Sequence, residues 1–291
     1  MTQSLAVGMQ ATFEDLRGWI GNTAVVEDQV AAAPARALAA TLDRDATFDS
    51  GDPLPPPWHW LYFLTMEPLS DAGPDGHPKR GGFLPPVPLP RRMWAGSRMT
   101  FLRPLRVGDA IRRESRIADV NVKEGRSGTL VFVTVRHEIT RNAESLLVDE
   151  HDIVYRDLQK ADTNAPVPRM APNDHAWIRE IHPTPVLLFR YSALTFNSHR
   201  IHYDFPYATG VEGYPGLVVH GPLLATLLLD LLLRHRPDAR VTRFAFRAVS
   251  PLFDNAPFNV CCRPDASGGN IALWAKTVDG QLTMDATATV A

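Results

Sequence analysis

Disulfide chemistry is nearly absent from this chain: its 291 residues include two cysteines, Cys261 and Cys262, side by side. In an extended segment neighbouring side chains point to opposite faces, so both are expected as reduced core residues of a cytoplasmic protein. Long apolar runs are missing as well. None reaches the ~18 residues of a membrane span, and the opening MTQSLAVGMQATFEDLRGW has neither the basic start nor the apolar stretch of a secretory signal. Charge of one sign is also scarce: 30 basic residues face 32 acidic ones, a formal net charge of -2, without a long run of either. Neither a nucleic-acid nor a membrane surface is expected, and the expected partner is a small molecule.

Proline, by contrast, occurs 25 times. Much of it crowds residues 49–96, in DPLPPPWHW and GGFLPPVPLPRRMWAG, with Trp58, Trp60, Phe63, Phe83 and Trp94 among it. A stiffened aromatic excursion of this kind either covers a groove or packs over the first helix. A second proline-rich stretch, LQKADTNAPVPRMAPNDHAW followed by IHPTP, predicts a linker, being too proline-rich for a strand or helix. On both sides of it the pattern is strand-like: SRMTFLRPL, DAIRRESRIADVNV, GTLVFVTVRHEIT and LLVDEHDIVY before, RVTRFAFRAVS, FNVCCRP, IALWAKTV and LTMDATATVA after. A helix pattern precedes each set, Ala31–Leu42 and Leu217–Leu233. Phe101-x-x-Pro104-Leu105-x-x-Gly108-Asp109 is echoed about half a chain later by Ala248-x-x-Pro251-Leu252-x-x-Asn255-Ala256. These features predict an α+β chain of two like halves, residues 1–157 and 184–291 with a linker at 158–183. Each half is expected to be a long central helix wrapped by an antiparallel sheet.

Chemistry concentrates in Tyr191–Gly221, YSALTFNSHRIHYDFPYATGVEGYPGLVVHG, which gathers Asn197, His199, His202, Asp204 and His220 and runs into LLATLLLDLLL. A helix apolar on all sides must be buried, so these polar groups are expected near a core. His202, with an unperturbed pKa of ~6.5, suits proton transfer near neutrality. Gly221 opens the helix, where its N–H is an orphan donor and the helix dipole favours negative charge. Having no side chain, it lets a reacting group approach the backbone, and Pro222 loses nothing at an early helical position. His199-x-x-His202-x-Asp204 has imidazole and carboxylate for a metal, but its spacing belongs to no established ligand motif, and no metal is expected.

The pattern Tyr191-x3-Thr195-Phe196-Asn197-x-His199-Arg200-Ile201-His202-x-Asp204, followed by Val219-His220-Gly221, resembles the hydratase motif of the MaoC family of enoyl-CoA hydratases and dehydratases. Gly82–Gly96, GFLPPVPLPRRMWAG, is similar to the first half of two-domain relatives. The resemblance implies a double hotdog fold with the motif in the C-terminal half only. The N-terminal half then shapes the acyl pocket and completes a pseudo-dimer, in a monomer or a homodimer. It implies reversible hydration of a 2-enoyl-CoA, with CoA as part of the substrate and no cofactor. Similarity to the branch that handles branched C5 dicarboxylic acyl groups implies mesaconyl-C4-CoA or itaconyl-CoA, giving citramalyl-CoA.

Carried over by motif position, His202 matches the catalytic histidine and Gly221 the glycine whose N–H polarises the thioester carbonyl. Asn197 stands where the family has aspartate; an amide orients water or the imidazole but takes up no proton. His199 replaces an asparagine and is the candidate donor of the α proton. Arg200 replaces a proline, and either meets a substrate carboxylate or CoA phosphate or pairs with Asp204. Tyr191 and His220 are expected in the substrate site. Arg91 and Arg92, beside Trp94, either contact the nucleotide end of CoA or form a solvated face. Two rival functions follow from the same residues. A thioesterase would activate water with Asp204 or Asp230; a non-catalytic thioester-binding protein would tolerate Asn197 in place of aspartate.

Overall fold

The computed structural model describes residues 15–79, 81–125, 128–157 and 167–291. The opening segment up to residue 14 and residues 158–166 of the expected linker lie outside the described residues. In the N-terminal half the strands are β1 (Thr23–Gln29), β2 (Arg91–Phe101), β3 (Ala110–Gly125), β4 (Gly128–Arg141) and β5 (Glu144–Arg156), with helix α1 (Ala32–Thr41) after β1. The C-terminal half repeats the order. It has β6 (Trp177–Ile181), helices α2 (Pro185–Leu194), α3 (Phe205–Gly210) and α4 (Gly221–His235), then β7 (Val241–Ala248), β8 (Phe258–Pro264), β9 (Asn270–Thr277) and β10 (Leu282–Val290).

All ten strands join in one antiparallel sheet, in the order β1-β3-β4-β5-β2-β7-β10-β9-β8-β6. Read from its two ends toward the centre, the order is the same in both halves, so a pseudo-twofold axis passes between β2 and β7. There Ser97 pairs with Phe246 and Met99 with Phe244. The sequence echo marks this symmetry, since Phe101 ends β2 and Ala248 ends β7. The buried leucines of the echo, Leu105 and Leu252, follow those strands into the core. The strands form where alternation and β-branching favour them: Val131, Val133, Val135 and Ile139 of β4 all turn inward. The expected RNAES turn is a two-residue hairpin with Asn142 and Ala143 both at positive φ, the geometry that matches strand twist.

Helix α4 is buried at every residue from Leu223 to Leu233 and packs on the inner face of the C-terminal sheet. Cys262 belongs to that core and Cys261 to a smaller cluster with Ala171, Trp274 and Leu282, on the opposite face as expected. Two expectations are corrected. The N-terminal half has no counterpart of α4: between α1 and β2 the described chain forms only the short 3-10 turns Trp58–Leu61 and Leu69–Asp71. Proline removes a backbone donor and clashes with the preceding turn, so the excursion that holds so many of them cannot wind into a long helix. The expected linker, moreover, contains β6. Its prolines flank WIREI without entering it, leaving Trp177 free to pair with Cys262 and Ile181 with Phe258. Among the described residues no helix is long and apolar enough to cross a membrane.

One carboxylate interrupts α4. Asp230, buried among leucines, is held by Arg44 at 3.0 Å, Arg179 at 2.8 Å and Arg234 at 2.7 Å. Arg44 follows α1 and Arg179 lies on β6, so this ion cluster ties the two halves together. Asp230→Ala is expected to cost about 3 kcal/mol, the low end for breaking a buried ion pair, because each guanidinium keeps part of its surface in water. Thermal unfolding followed by circular dichroism should show a Tm lower by roughly 6–12 °C.

Candidate active site

Helix α2 begins at Thr184, whose hydroxyl accepts the Leu187 N–H at 3.2 Å, with Pro185 at its first position. Beyond α2 the chain turns through Phe196 at φ +49°, a left-handed conformation uncommon for an aromatic residue and typical of functional turns. Asn197 then closes an Asx turn, its Oδ1 accepting the His199 N–H at 3.0 Å. Asp204 caps α3 by accepting the Tyr207 N–H at 3.1 Å. The Val218 N–H donates to the Ile201 carbonyl at 2.9 Å, which sets the His220–Gly221 helix start against His202.

His202 is buried, and its Nδ1 lies 2.7 Å from the Val218 carbonyl. A carbonyl can only accept, so the proton sits on Nδ1 and the Nε2 lone pair is left for chemistry. The ring stacks on His220 with centroids 3.7 Å apart and meets His199 edge-on at 5.4 Å; His199 in turn packs on His77 at 4.0 Å. Burial pushes His202 down to about 4. Burial, with the neighbouring imidazoles, pushes His199 to about 2 and His220 well below its ordinary value. All three are neutral at pH 7, the form a general base requires. Gly221 is the first residue of α4, so its N–H has no carbonyl partner within the helix. A Cβ there would meet nothing within 4 Å.

A cavity of about 1060 Å3 lies against this motif. Asn197, Tyr191, Arg92 and Trp94 line it, as do Tyr203 and Pro222, the residues next to His202 and Gly221. The aromatic excursion does both things expected of it: Trp58 packs in the main core, while Trp60, Phe63 and Phe83 line the cavity. Three expected substrate contacts fall elsewhere. Arg200 pairs with Asp204 at 2.7 Å, donates to the Pro74 carbonyl at 3.0 Å and stacks on Tyr207. Arg91 donates to the Glu212 carbonyl at 3.1 Å and covers the Tyr214 ring. His220 is fully buried, with its Nε2 2.8 Å from the Ser192 hydroxyl and its ring stacked on His202; like His199, His202 and Gly221, it lies behind the residues that line the cavity.

The structure adds residues that the motif does not contain. His77 lines the cavity, with its backbone N–H 3.0 Å and its Nδ1 3.1 Å from the Asp75 carboxylate. Burial opposes the charge on Asp75, but the hydrogen bonds and charge of His77 outweigh it and hold that carboxyl well below the usual range. The turn reaches the motif because residue 76 is glycine: its φ is +88°, and a Cβ would collide with the Ser198 carbonyl. Asp75, His77 and His199 are the described residues placed to hold a metal, with ligand atoms within 4.8 Å of one another. The spacing weighed in the sequence is not that set, since Asp204 is committed to Arg200 and His202 to Val218. With Asp75 already bonded to His77, the trio reads as a histidine held in one orientation on the cavity wall. Its signal in the sequence is the turn GPDGHP inside the proline-rich excursion.

A second polar group sits on the inner face of the N-terminal sheet. Asp149 accepts from Trp60 Nε1 at 3.0 Å, His59 Nε2 at 3.0 Å, His151 Nε2 at 2.7 Å and the Ser97 hydroxyl. His137 Nδ1 lies 2.7 Å from the Ser115 hydroxyl. Asp149, His137 and His151 line the cavity.

Residues 57–254 match the family hydroxyacyl-thioester dehydratase type 2. The chain is 50% identical to mesaconyl-C4-CoA hydratase of Chloroflexus aurantiacus over 275 residues, 94% of this chain and 97% of that one. It is 30% identical to the mitochondrial hydroxyacyl-thioester dehydratase type 2 of Schizosaccharomyces pombe, over 88% of this chain and 94% of the other. In fold it is similar to a MaoC-like dehydratase from Phytophthora capsici, with TM-score 0.68 at 14% identity, over 97% of this chain and 99% of that one. A Mycobacterium tuberculosis protein described as a double hotdog superposes with TM-score 0.55 at 14% identity, over 96% and 98% of the two chains.

Proposed function

The chain belongs to the hydroxyacyl-thioester dehydratase type 2 family, and from that membership we propose that it hydrates a branched dicarboxylic 2-enoyl thioester, mesaconyl-C4-CoA, to citramalyl-CoA. That it is a hydro-lyase acting on enoyl thioesters follows from the family and from the relationship to the Chloroflexus enzyme. The observation that carries the acyl choice is 50% identity across nearly the whole of both chains. The thioesterase alternative loses its proposed bases, since Asp204 is bonded to Arg200 and Asp230 to three arginines.

Hydration needs a base for water, a donor for the enolate oxygen and a proton for Cα. In the proposed reaction His202 Nε2 takes a proton from water as the water oxygen bonds to Cβ. The C=C electrons move into the thioester, whose oxygen becomes an enolate held by the Gly221 N–H at the positive end of α4. Asn197, whose Oδ1 is engaged by the His199 N–H, has its amide N–H groups left to orient the water. The enolate collapses as Cα takes a proton. We assign that proton to His77, fixed by Asp75 on the cavity wall, and not to His199, which packs behind His77; His202 then releases the water proton to solvent and His77 regains one from it, so the cycle adds one water with no net change in the enzyme.

The test follows the enoyl-thioester absorbance of purified protein with mesaconyl-C4-CoA, itaconyl-CoA and crotonyl-CoA, with free thiol measured in parallel. The expected result is loss of the enoyl band, fastest with mesaconyl-C4-CoA, without thiol release. Equal or faster turnover of crotonyl-CoA or itaconyl-CoA would overturn the acyl assignment, and thiol release would overturn hydration.

A further inference from the structure

The two halves of the sheet have the same topology, but the inner surface of one is apolar while that of the other sets polar groups among its valines and isoleucines. In the C-terminal half the inward residues are apolar, among them Phe258, Val260, Leu273, Ala275, Met284 and Ala286, and α4 covers them. In the N-terminal half, where no such helix exists among the described residues, the matching strands turn Arg113, Ser115, His137, Asp149 and Ser97 inward. The pairings Arg113↔Ile139, Ser115↔His137 and His137↔Asp149 place them side by side. Burying such groups is costly unless each finds a partner. Most of them do: both oxygens of Asp149 are taken and His137 meets Ser115.

Arg113 does not. Among the described residues its guanidinium makes no ion pair or hydrogen bond, its Nε is buried without a partner, and it lies over the Phe63 ring, 5.1 Å from the centroid. Asp149 and Asp28 act on it only through longer-range charge. Phe63 itself is held at φ +56°, an uncommon conformation for an aromatic residue. Arg113 lines the cavity, next to His137. A fork of donors facing the cavity without an acceptor matches the geometry of a carboxylate.

We propose that Arg113, with His137 beside it, is the subsite that binds the free carboxylate of a dicarboxylic acyl thioester and so sets the preference for such a substrate over an uncharged acyl chain. The inference rests on the dicarboxylic reading above. Asp149 is the positioning residue of the site, holding His59, His151 and Trp60 through its carboxylate.

The test measures binding of two saturated probes by titration calorimetry: succinyl-CoA, which has a terminal carboxylate, and butyryl-CoA, which does not. Wild-type protein is expected to bind succinyl-CoA more tightly, and Arg113→Gln to reduce that preference by roughly 10- to 150-fold, the range for a lost hydrogen bond to a charged group. Arg113→Lys, which keeps the charge without the fork, is expected to retain part of the preference and controls for folding. A wild-type protein with no preference overturns the dicarboxylic reading and the subsite with it. A preference that survives in Arg113→Gln, or an equal loss for both probes, overturns the subsite alone.

Discussion

His202→Ala is expected to lower kcat on the enoyl thioester by roughly 10²- to 10⁴-fold, the usual contribution of a positioned general base. The structure sets this apart from a folding defect. The substitution removes a ring stacked 3.7 Å from His220 and strips the Val218 carbonyl of its donor. An unsatisfied buried acceptor costs about 1–3 kcal/mol, which a fold stable by roughly 5–15 kcal/mol survives. Circular dichroism should therefore report a folded variant with a lowered Tm, while turnover nearly vanishes. A folded variant retaining more than about a tenth of wild-type kcat would remove His202 from the mechanism.

The pH profile gives a second check on the same residue. Burial lowers His202 to about 4, so the free enzyme keeps its base deprotonated well below the ordinary imidazole range. The acid limb of kcat/KM is expected near pH 4 to 5, not near 6.5. Stability also falls with pH, but from a higher starting point. In the unfolded chain His202 and His199 take up protons below about pH 6.5, whereas in the folded chain they stay neutral to about 4 and about 2. The unfolded state thus binds more protons as the pH falls through this window, and stability is lost across it. The rate at each pH must be read before the chain unfolds, and an acid limb at 6.5 in folded protein would mean that the base is not the buried His202.

The C-terminal half was the more legible part of the sequence, because its signals are local. A fully apolar helix can only be a core helix, the histidine-rich turn before it must then lie near that core, and His-Gly-Pro marks the helix start. The strands around Val131 and Leu273 alternate in a way that leaves few other assignments. Four features resisted for physical reasons. The missing N-terminal central helix is a consequence of proline in the excursion, yet Ala31–Leu42 looked like that helix; the structure makes it the counterpart of the short α2. β6 was hidden by prolines that surround it without entering it. Arg113, His137 and Asp149 carry no local signal of a site, since alternation shows which residues share a face but not whether that face is wet, apolar or a pocket floor. His77 could not be joined to the motif from sequence, because it meets His199 only through the docking of the Gly76 turn on Ser198, a contact between the two halves.

Gly221→Ala is expected to separate activity from stability most cleanly of all. Alanine is the better helix former by up to ~1 kcal/mol, and the added Cβ would meet no atom within 4 Å, so the variant should unfold at or slightly above the wild-type temperature. The same empty space is where a thioester must come to reach the backbone N–H. A methyl group there holds the carbonyl oxygen away from the first donor of α4, an interaction that strengthens as the oxygen becomes an enolate. Loss of one such donor costs about 2.7–4 kcal/mol, so kcat is expected to fall by roughly 10²- to 10³-fold. KM should change much less, because the interaction is realised mainly in the transition state. A variant with wild-type kcat would show that the oxyanion is held elsewhere. One that loses affinity but not kcat would make Gly221 a contact for the bound acyl chain instead of for the transition state.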